Sequence, residues 1–197
     1  MSEESKRVAA LFVRCDGPYF GRDDVDPWDA ERDALKYKGP WPVVAHPPCA
    51  RWGYQWFADG SSEPGNDGGI FSFALAAVRS HGGVIEHPAA SFAFKRFDLG
   101  IPRRGSWQRN IWGDWITEID QSAYGHRARK RTWLIAHGSR APDPVIWDET
   151  PFEAYVCKPR AARKDPGLDV EIIEMREREL TPARMAEELI RIAKEMR

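Results

Sequence analysis

The stretch Phe71-Ser72-Phe73-Ala74-Leu75-Ala76-Ala77-Val78-Arg79-Ser80-His81-Gly82-Gly83-Val84-Ile85-Glu86-His87-Pro88 holds a helix and a strand in immediate succession. Phe71, Ala74, Leu75 and Val78 recur at the spacing of one helical face, and Gly82-Gly83 ends the run. Val84-Ile85 is then a short apolar strand that stops in Glu86-His87-Pro88. On the N-terminal side, Trp41-Pro42-Val43-Val44-Ala45 reads as a brief strand running into His46-Pro47-Pro48-Cys49, where two prolines forbid further ladder pairing. Strand, helix and strand in this order make a βαβ unit and imply parallel pairing. The expected fold is α/β, a mainly parallel sheet flanked by helices. The carboxyl ends of such strands line the ligand crevice, so Cys49 and Glu86 are expected to face one site.

Working outward, residues 1–7 read as a charged, flexible tail, and Val8 to Val13 as the first strand. Asp26 to Leu35, acidic early and with Pro27 near its start, reads as a helix closed by Lys38-Gly39-Pro40. Residues 59–69, rich in Gly, Ser, Asp and Pro, read as a loop. Trp107, Trp112 and Trp115 mark a β or loop layer reaching Asp120. A basic loop from Gln121 to Arg131 leads into a strand at Thr132 to Ala136. Residues 138–170 read as an irregular insert. Thr181-Pro182 suits the N-cap and first turn of a last helix whose apolar stripe is Met185, Leu189 and Ile192.

The chain has 197 residues, 42% hydrophobic and 30% charged, which fits a single domain over 1–197 with a sizeable core. A net charge of −1 advertises no polyanion partner, so any nucleic-acid surface must come from local clustering of the 29 Lys and Arg. Cys15, Cys49 and Cys157 are an odd, widely spaced set, and the N-terminus lacks an apolar leader, which points to a reducing cytoplasm. No run of about 18 apolar residues exists to span a membrane.

Pro47-Pro48-Cys49 resembles the Pro-Pro-Cys motif of DNA cytosine-C5 methyltransferases, and Glu86-His87-Pro88 resembles their Glu-Asn-Val or Glu-Asn-Pro motif. Gln121 with Arg127 and Arg129 resembles their Gln-x-Arg-x-Arg motif, and the three occur in the family's order. The resemblance spans residues 40 to 136 and the last helix, and implies a Rossmann-like, methyltransferase-type domain in reduced form. It implies Cys49 as the nucleophile, Glu86 as the acid toward the base, and Arg127 and Arg129 as groups that position base and phosphate. Pro47, Pro48, Trp52, His87, Gln121, Tyr124, His126 and Lys130 are the expected substrate-binding surround. S-adenosylmethionine is the implied cofactor and DNA the implied partner, with the target base flipped from the stack. Small proteins of this kind suit a phage or mobile element.

The chemistry accounts for these residue types. Cytosine C5 is too electron-poor to attack a methyl donor, so a thiolate adds to C6 and makes C5 an enamine carbon. Charge that accumulates at N3 is relieved by a carboxylic acid.

The sequence departs from the family in four places. The family's Phe-x-Gly-x-Gly donor loop corresponds to Phe12-Val13-Arg14-Cys15-Asp16-Gly17-Pro18, which leaves Phe12 and Asp16 as donor-site positions and Asp29 or Glu31 as a ribose-holding carboxylate. His87 stands where the family commonly has Asn, and the spacing from Gln121 to Arg127 is longer. About 40 residues separate Ala136 from Thr181, too few for a large target-recognition domain.

Other readings stand beside this one. A different one-carbon donor, or a free nucleotide substrate, is one; a non-catalytic DNA-binding or decoy protein is another. Cys49 also reads as a small buried hydrophobe, the Arg127 to Arg131 cluster as a solvated loop, and Tyr124 and the tryptophans as packing residues, Trp52 excepted. Cys15 and Cys157 read as structural. The His46-x-x-Cys49 spacing permits zinc, but no second cysteine follows, and no metal is expected.

Overall fold

The computed structural model describes residues 7–53, 65–148, 150–157, 159, 163 and 169–197. Among these, a seven-stranded sheet runs in the order β2-β1-β3-β4-β8-β6-β5. Its strands are β1 (Val8–Leu11), β2 (Val25–Trp28), β3 (Val43–Ala45), β4 (Gly83–Pro88), β5 (Gln108–Arg109), β6 (Trp115–Asp120) and β8 (Arg131–His137). Two further short strands, β7 (Ala128–Arg129) and β9 (Ala154–Tyr155), pair with each other in parallel. The helices are α1 (Ile70–His81), α2 (Phe92–Arg96), α3 (Met175–Arg178) and α4 (Ala183–Glu195).

Val43–Ala45, Ile70–His81 and Gly83–Pro88 form the βαβ unit read from the sequence, with β3 and β4 side by side and parallel. Beyond them the sheet is mixed rather than mainly parallel. β1 pairs in parallel with β2 and β3, whereas β8 runs antiparallel to both β4 and β6, and β5 antiparallel to β6. Because β8 opposes both neighbours, β6 runs in the direction of β4. The end of β6 and the start of β8 therefore join the carboxyl ends of β1, β3 and β4 at one edge.

Both faces of the central strands are covered, which explains their uninterrupted apolar runs. Val8, Ala10, Val44, Val84, Leu134 and Ala136 pack beneath α4 through Met185, Leu189 and Ile192. Ala9, Leu11, Val43, Ala45, Ile85 and Ile135 face α1 through Phe71, Ala74, Leu75 and Val78. Each of these large aliphatic side chains contributes about 1.5–3 kcal/mol of gross transfer free energy.

Three segments differ from expectation. The helix expected over Asp26 to Leu35 is the edge strand β2 followed by a 3-10 turn at Ala34–Lys36. Pro27 is tolerated because β2 pairs on one side only, and Asp33, at φ 59°, caps the turn by accepting from the Leu35 amide. The first strand stops at Leu11 because Phe12 turns to φ 59°. The last helix begins at Ala183, one residue later than read, with the Pro182 carbonyl accepting from Ala186. The loop expected over 59–69 lies outside the described residues up to 64, as do residues 1–6 of the tail and parts of the 138–170 insert. No helix among the described residues is long and apolar enough to cross a membrane.

Gly83 is the tightest point of this architecture. It has φ 132°, and a Cβ there would sit 2.0 Å from the Val43 carbonyl oxygen. We expect G83A to destabilise the protein by about 2–5 kcal/mol, from backbone strain plus steric overlap. An unchanged urea midpoint in G83A would contradict the close β3–β4 approach.

Candidate active site

Ala45 and Ile85 are the last paired positions of β3 and β4, so His46 and Glu86 follow as neighbours one residue on. Side chains alternate between faces, and Val44 and Val84 lie on the α4 side. Glu86 shares that side and meets His46, whereas His87 turns to the α1 side, edge-on to Phe71 with ring centroids 5.2 Å apart.

A chain of hydrogen bonds crosses the edge. The Tyr19 hydroxyl lies 2.7 Å from His46 Nε2, and His46 Nδ1 lies 3.0 Å from Glu86 Oε2. Gln121 Nε2 donates to Glu86 Oε1 and to Thr132 Oγ1, both at 3.0 Å. Burial works to raise the Glu86 carboxyl, but the His46 hydrogen bond, the Lys130 charge and the neighbouring imidazoles outweigh it and hold the group at about 2. An ionised carboxylate only accepts, so Nδ1 of His46 carries its hydrogen and the Gln121 amide must present its NH2 to Glu86. Burial and the Glu86 charge raise the Tyr19 phenol well above its ordinary value, so Tyr19 keeps its proton and its hydroxyl pairs with Nε2 of His46.

Cys49 follows His46 by two prolines of fixed φ. It is exposed, and its carbonyl accepts from Trp52 and Gly53 in a tight turn. Partial desolvation and the Glu86 charge push its thiol up, with Lys130 opposing them. Trp52 holds the turn in place. It is 4% exposed, donates to Asp67 Oδ2 at 2.9 Å and packs on Phe71 and Phe97, so its ring anchors the Cys49 loop and has little face for a base. Pro47 is buried behind Cys49, and Pro48 is exposed beside it.

The basic loop is brought to the same edge, but its cations are engaged. Arg127 pairs with Glu171 and Glu177, Arg129 with Asp120, and Lys130 Nζ donates to the Leu180 carbonyl. Arg14 reaches Glu179 from the loop after β1, so the acidic segment 171–180 straps the loops together. Tyr124 belongs to the core beneath α4, its hydroxyl accepting from the Ile146 amide at 2.8 Å. His126 is buried, with Nδ1 accepting from the Ala128 amide. Both are structural where a substrate contact was expected.

The residues expected at a donor site lie in the loops after β1 and β2. β1 is followed by β2 on one side and β3 on the other, which makes the β1–β3 boundary the switch point at which the strand order reverses. Tyr19, 2% exposed, stands there on His46. Phe12 is half-buried against Phe73, Asp16 is exposed and paired with Arg14, Asp29 accepts from the Arg32 amide, and Glu31 is exposed. Asp16 and Asp29 are thus taken up by Arg14 and by the Arg32 amide, and Glu31 lies at the surface, so these residues do not fit S-adenosylmethionine as expected.

Both nitrogens of His46 are engaged by Glu86 and Tyr19, and His87 lies on the other face, which leaves the zinc reading without its histidines. Cys15 and Cys157 are exposed rather than structural core. His46, Tyr19 and Thr132 were not among the residues assigned to the site. His46 carried a signal in its place before Pro47-Pro48-Cys49, whereas Tyr19 and Thr132 carried none. Comparison with protein-family models, with curated proteins and with solved structures finds no match to this chain.

Two buried groups at the site, His87 and Glu86, contribute to acid stability. His87 is fully buried, and desolvation lowers its imidazole to about 4. The unfolded His87 takes a proton from about 6.5 downward while the folded one refuses it until about 4, so stability is full above that window and lost as pH falls through it. Glu86 does the same between about 4.5 and about 2. We expect urea-unfolding free energy to fall by up to about 3 kcal/mol across each window. H87N should flatten the upper slope and E86Q the lower; identical profiles in all three proteins would contradict the burial of these groups.

Proposed function

We propose that the protein modifies cytosine at C5 in DNA, with Cys49 adding to C6 of the base and Glu86 serving N3. The observation that carries this reading is the Gln121–Glu86 hydrogen bond, which links two of the motifs that resemble cytosine-C5 methyltransferases, with Cys49 of the third near enough to feel the Glu86 charge. The sheet supports it further: five strands share one direction around the single antiparallel insertion of β8, with β5 an edge addition, as in a reduced Rossmann-like domain.

The resting site holds a protonated thiol and an ionised carboxylate, the reverse of what addition needs. Proton balance then follows: the sulfur pair forms the S–C6 bond, the C5=C6 pair moves to C4=C5, and the C4=N3 pair moves to N3. The thiol's proton is the one N3 requires, passed by way of Glu86, so addition consumes no external acid. C5 is left as a nucleophilic enamine carbon. DNA phosphates would displace Glu171 and Glu177 from Arg127, a charge-assisted exchange that makes affinity salt-dependent. S-adenosylmethionine is the methyl donor that the three motifs imply, although the residues expected to hold it form no cradle for it. The Tyr19-filled switch point favours a second reading, in which another one-carbon donor is used.

An oligonucleotide containing 5-azacytosine, whose C6 is more electrophilic, tests addition without any donor. Intact-mass analysis is expected to show a Cys49 adduct that C49S abolishes and E86Q slows by about 100- to 10,000-fold. Absence of the adduct in the wild-type protein would end the reading. Adduct formation without product from S-adenosylmethionine would select the second donor.

A further inference from the structure

His46 and Tyr19 belong to none of the three motifs, yet both are committed to Glu86. The side chains of His46 and Glu86 are 12% and 10% exposed, and Tyr19 backs the imidazole from the far side with ring centroids 5.4 Å apart. A histidine that merely filled space would need neither hydrogen bond. Here each ring nitrogen is used, one on the carboxylate and one on the phenol, at 3.0 and 2.7 Å. The His46 amide also donates to the Leu11 carbonyl at 3.1 Å, which fixes the backbone from which both prolines and Cys49 extend. Seating His46 therefore seats the nucleophile and orients the carboxylate together.

We propose that His46 is a positioning residue for the C5 chemistry: its Nδ1–H holds the Glu86 carboxylate so that the remaining lone pairs face the pyrimidine, and Tyr19 locks the imidazole in that orientation. This rests on the cytosine reading above, and it adds a part that the motifs do not contain. Gln121 holds the opposite oxygen, so a carboxylate gripped at one corner by each partner cannot rotate without losing one of them. Removing Nδ1–H frees that rotation and leaves a buried charge short of a donor.

The titratable groups whose charge reaches Glu86 are His46 and Tyr19 from the loops after β3 and β1, Lys130 from the segment before β8, Cys49 beyond the prolines, and His87, next in sequence but on the other face of β4. Since Lys130, His87 and Cys49 stay in place in the variants below, a change in Glu86 titration reports on His46. Asn places an amide NH2 near the Nδ1 position, whereas Gln reaches toward the Nε2 position. H46N and H46Q therefore separate the proposed role from space filling.

Two readouts are taken in the full chain: the rate of Cys49 adduct formation with the 5-azacytosine oligonucleotide across pH, and the Glu86 carboxyl titration by carbon NMR in the free protein. H46Q is expected to slow addition by about 100-fold, with oligonucleotide affinity retained and the Glu86 midpoint moved upward. H46N is expected to recover to within about tenfold of wild type, since the donor to Glu86 is kept. Y19F should fall between the two. Wild-type addition rates in H46Q, or equal losses in H46N and H46Q, would overturn the proposal. If the wild-type protein forms no adduct, the cytosine reading fails on its own, and the titration still decides the clamp. A midpoint raised in H46Q but not in H46N supports it; three coincident curves overturn it.

Discussion

The ionised carboxylate of Glu86 is the constraint around which the edge of the sheet is organised. A charge this deeply buried persists only with donors in place, and removing one partner of such a group typically costs about 3–5 kcal/mol. The donors come from separate parts of the chain. His46 arrives because β3 is the parallel neighbour of β4, and Gln121 because β6 ends at the same edge. Thr132, which steadies the Gln121 amide, arrives because β8 starts where β4 stops, with Pro88 opposite Thr132. The antiparallel insertion of β8 between β4 and β6 is thus the topological means by which a third loop reaches the carboxylate.

The local parts of this arrangement were legible in the sequence and the non-local parts were not. Helical spacing from Phe71 to Val78, closed by two glycines, marked α1 and the strand after it, because periodicity and punctuation are local signals. Asp26 to Leu35 misled, since acidic residues and an early proline are also compatible with an edge strand and a capped turn. That β8 opposes β4 depends on which strands meet across 40 or more residues, and no window of sequence records it. At the site, Cys49, Glu86 and Gln121 were found by their order and their neighbours. Tyr19 sits in a Gly/Pro/Asp-rich loop and becomes meaningful only when β1 and β3 are adjacent.

The basic loop teaches a related lesson about charge. The near-zero net charge concealed a cluster of cations at the candidate site, and the fold then pairs that cluster with carboxylates of segment 171–180 and of β6. Arg127 lies between exposed Glu171 and half-buried Glu177, so its pairs are held in a high-dielectric setting where each is worth little. A phosphate competing for the same guanidinium displaces weak partners rather than strong ones. The strap therefore orders the loop at small cost to any anion that replaces it.

The alternation along β4 has a consequence for how such a site can change over time. Glu86 and His87 are adjacent in sequence but lie on opposite faces, one at the hydrogen-bonded edge and the other sealed under α1 against Phe71. A single-residue insertion or deletion within β4 would exchange them, setting a carboxylate in an aromatic pocket and an imidazole against Gln121. The strand itself can therefore vary only by substitution, and the one-residue connection at Gly82, where a Cβ would meet the Met196 carbonyl at 2.2 Å, is held as tightly. The spacing from Gly83 to Pro88 is thereby locked by the geometry of the pleat.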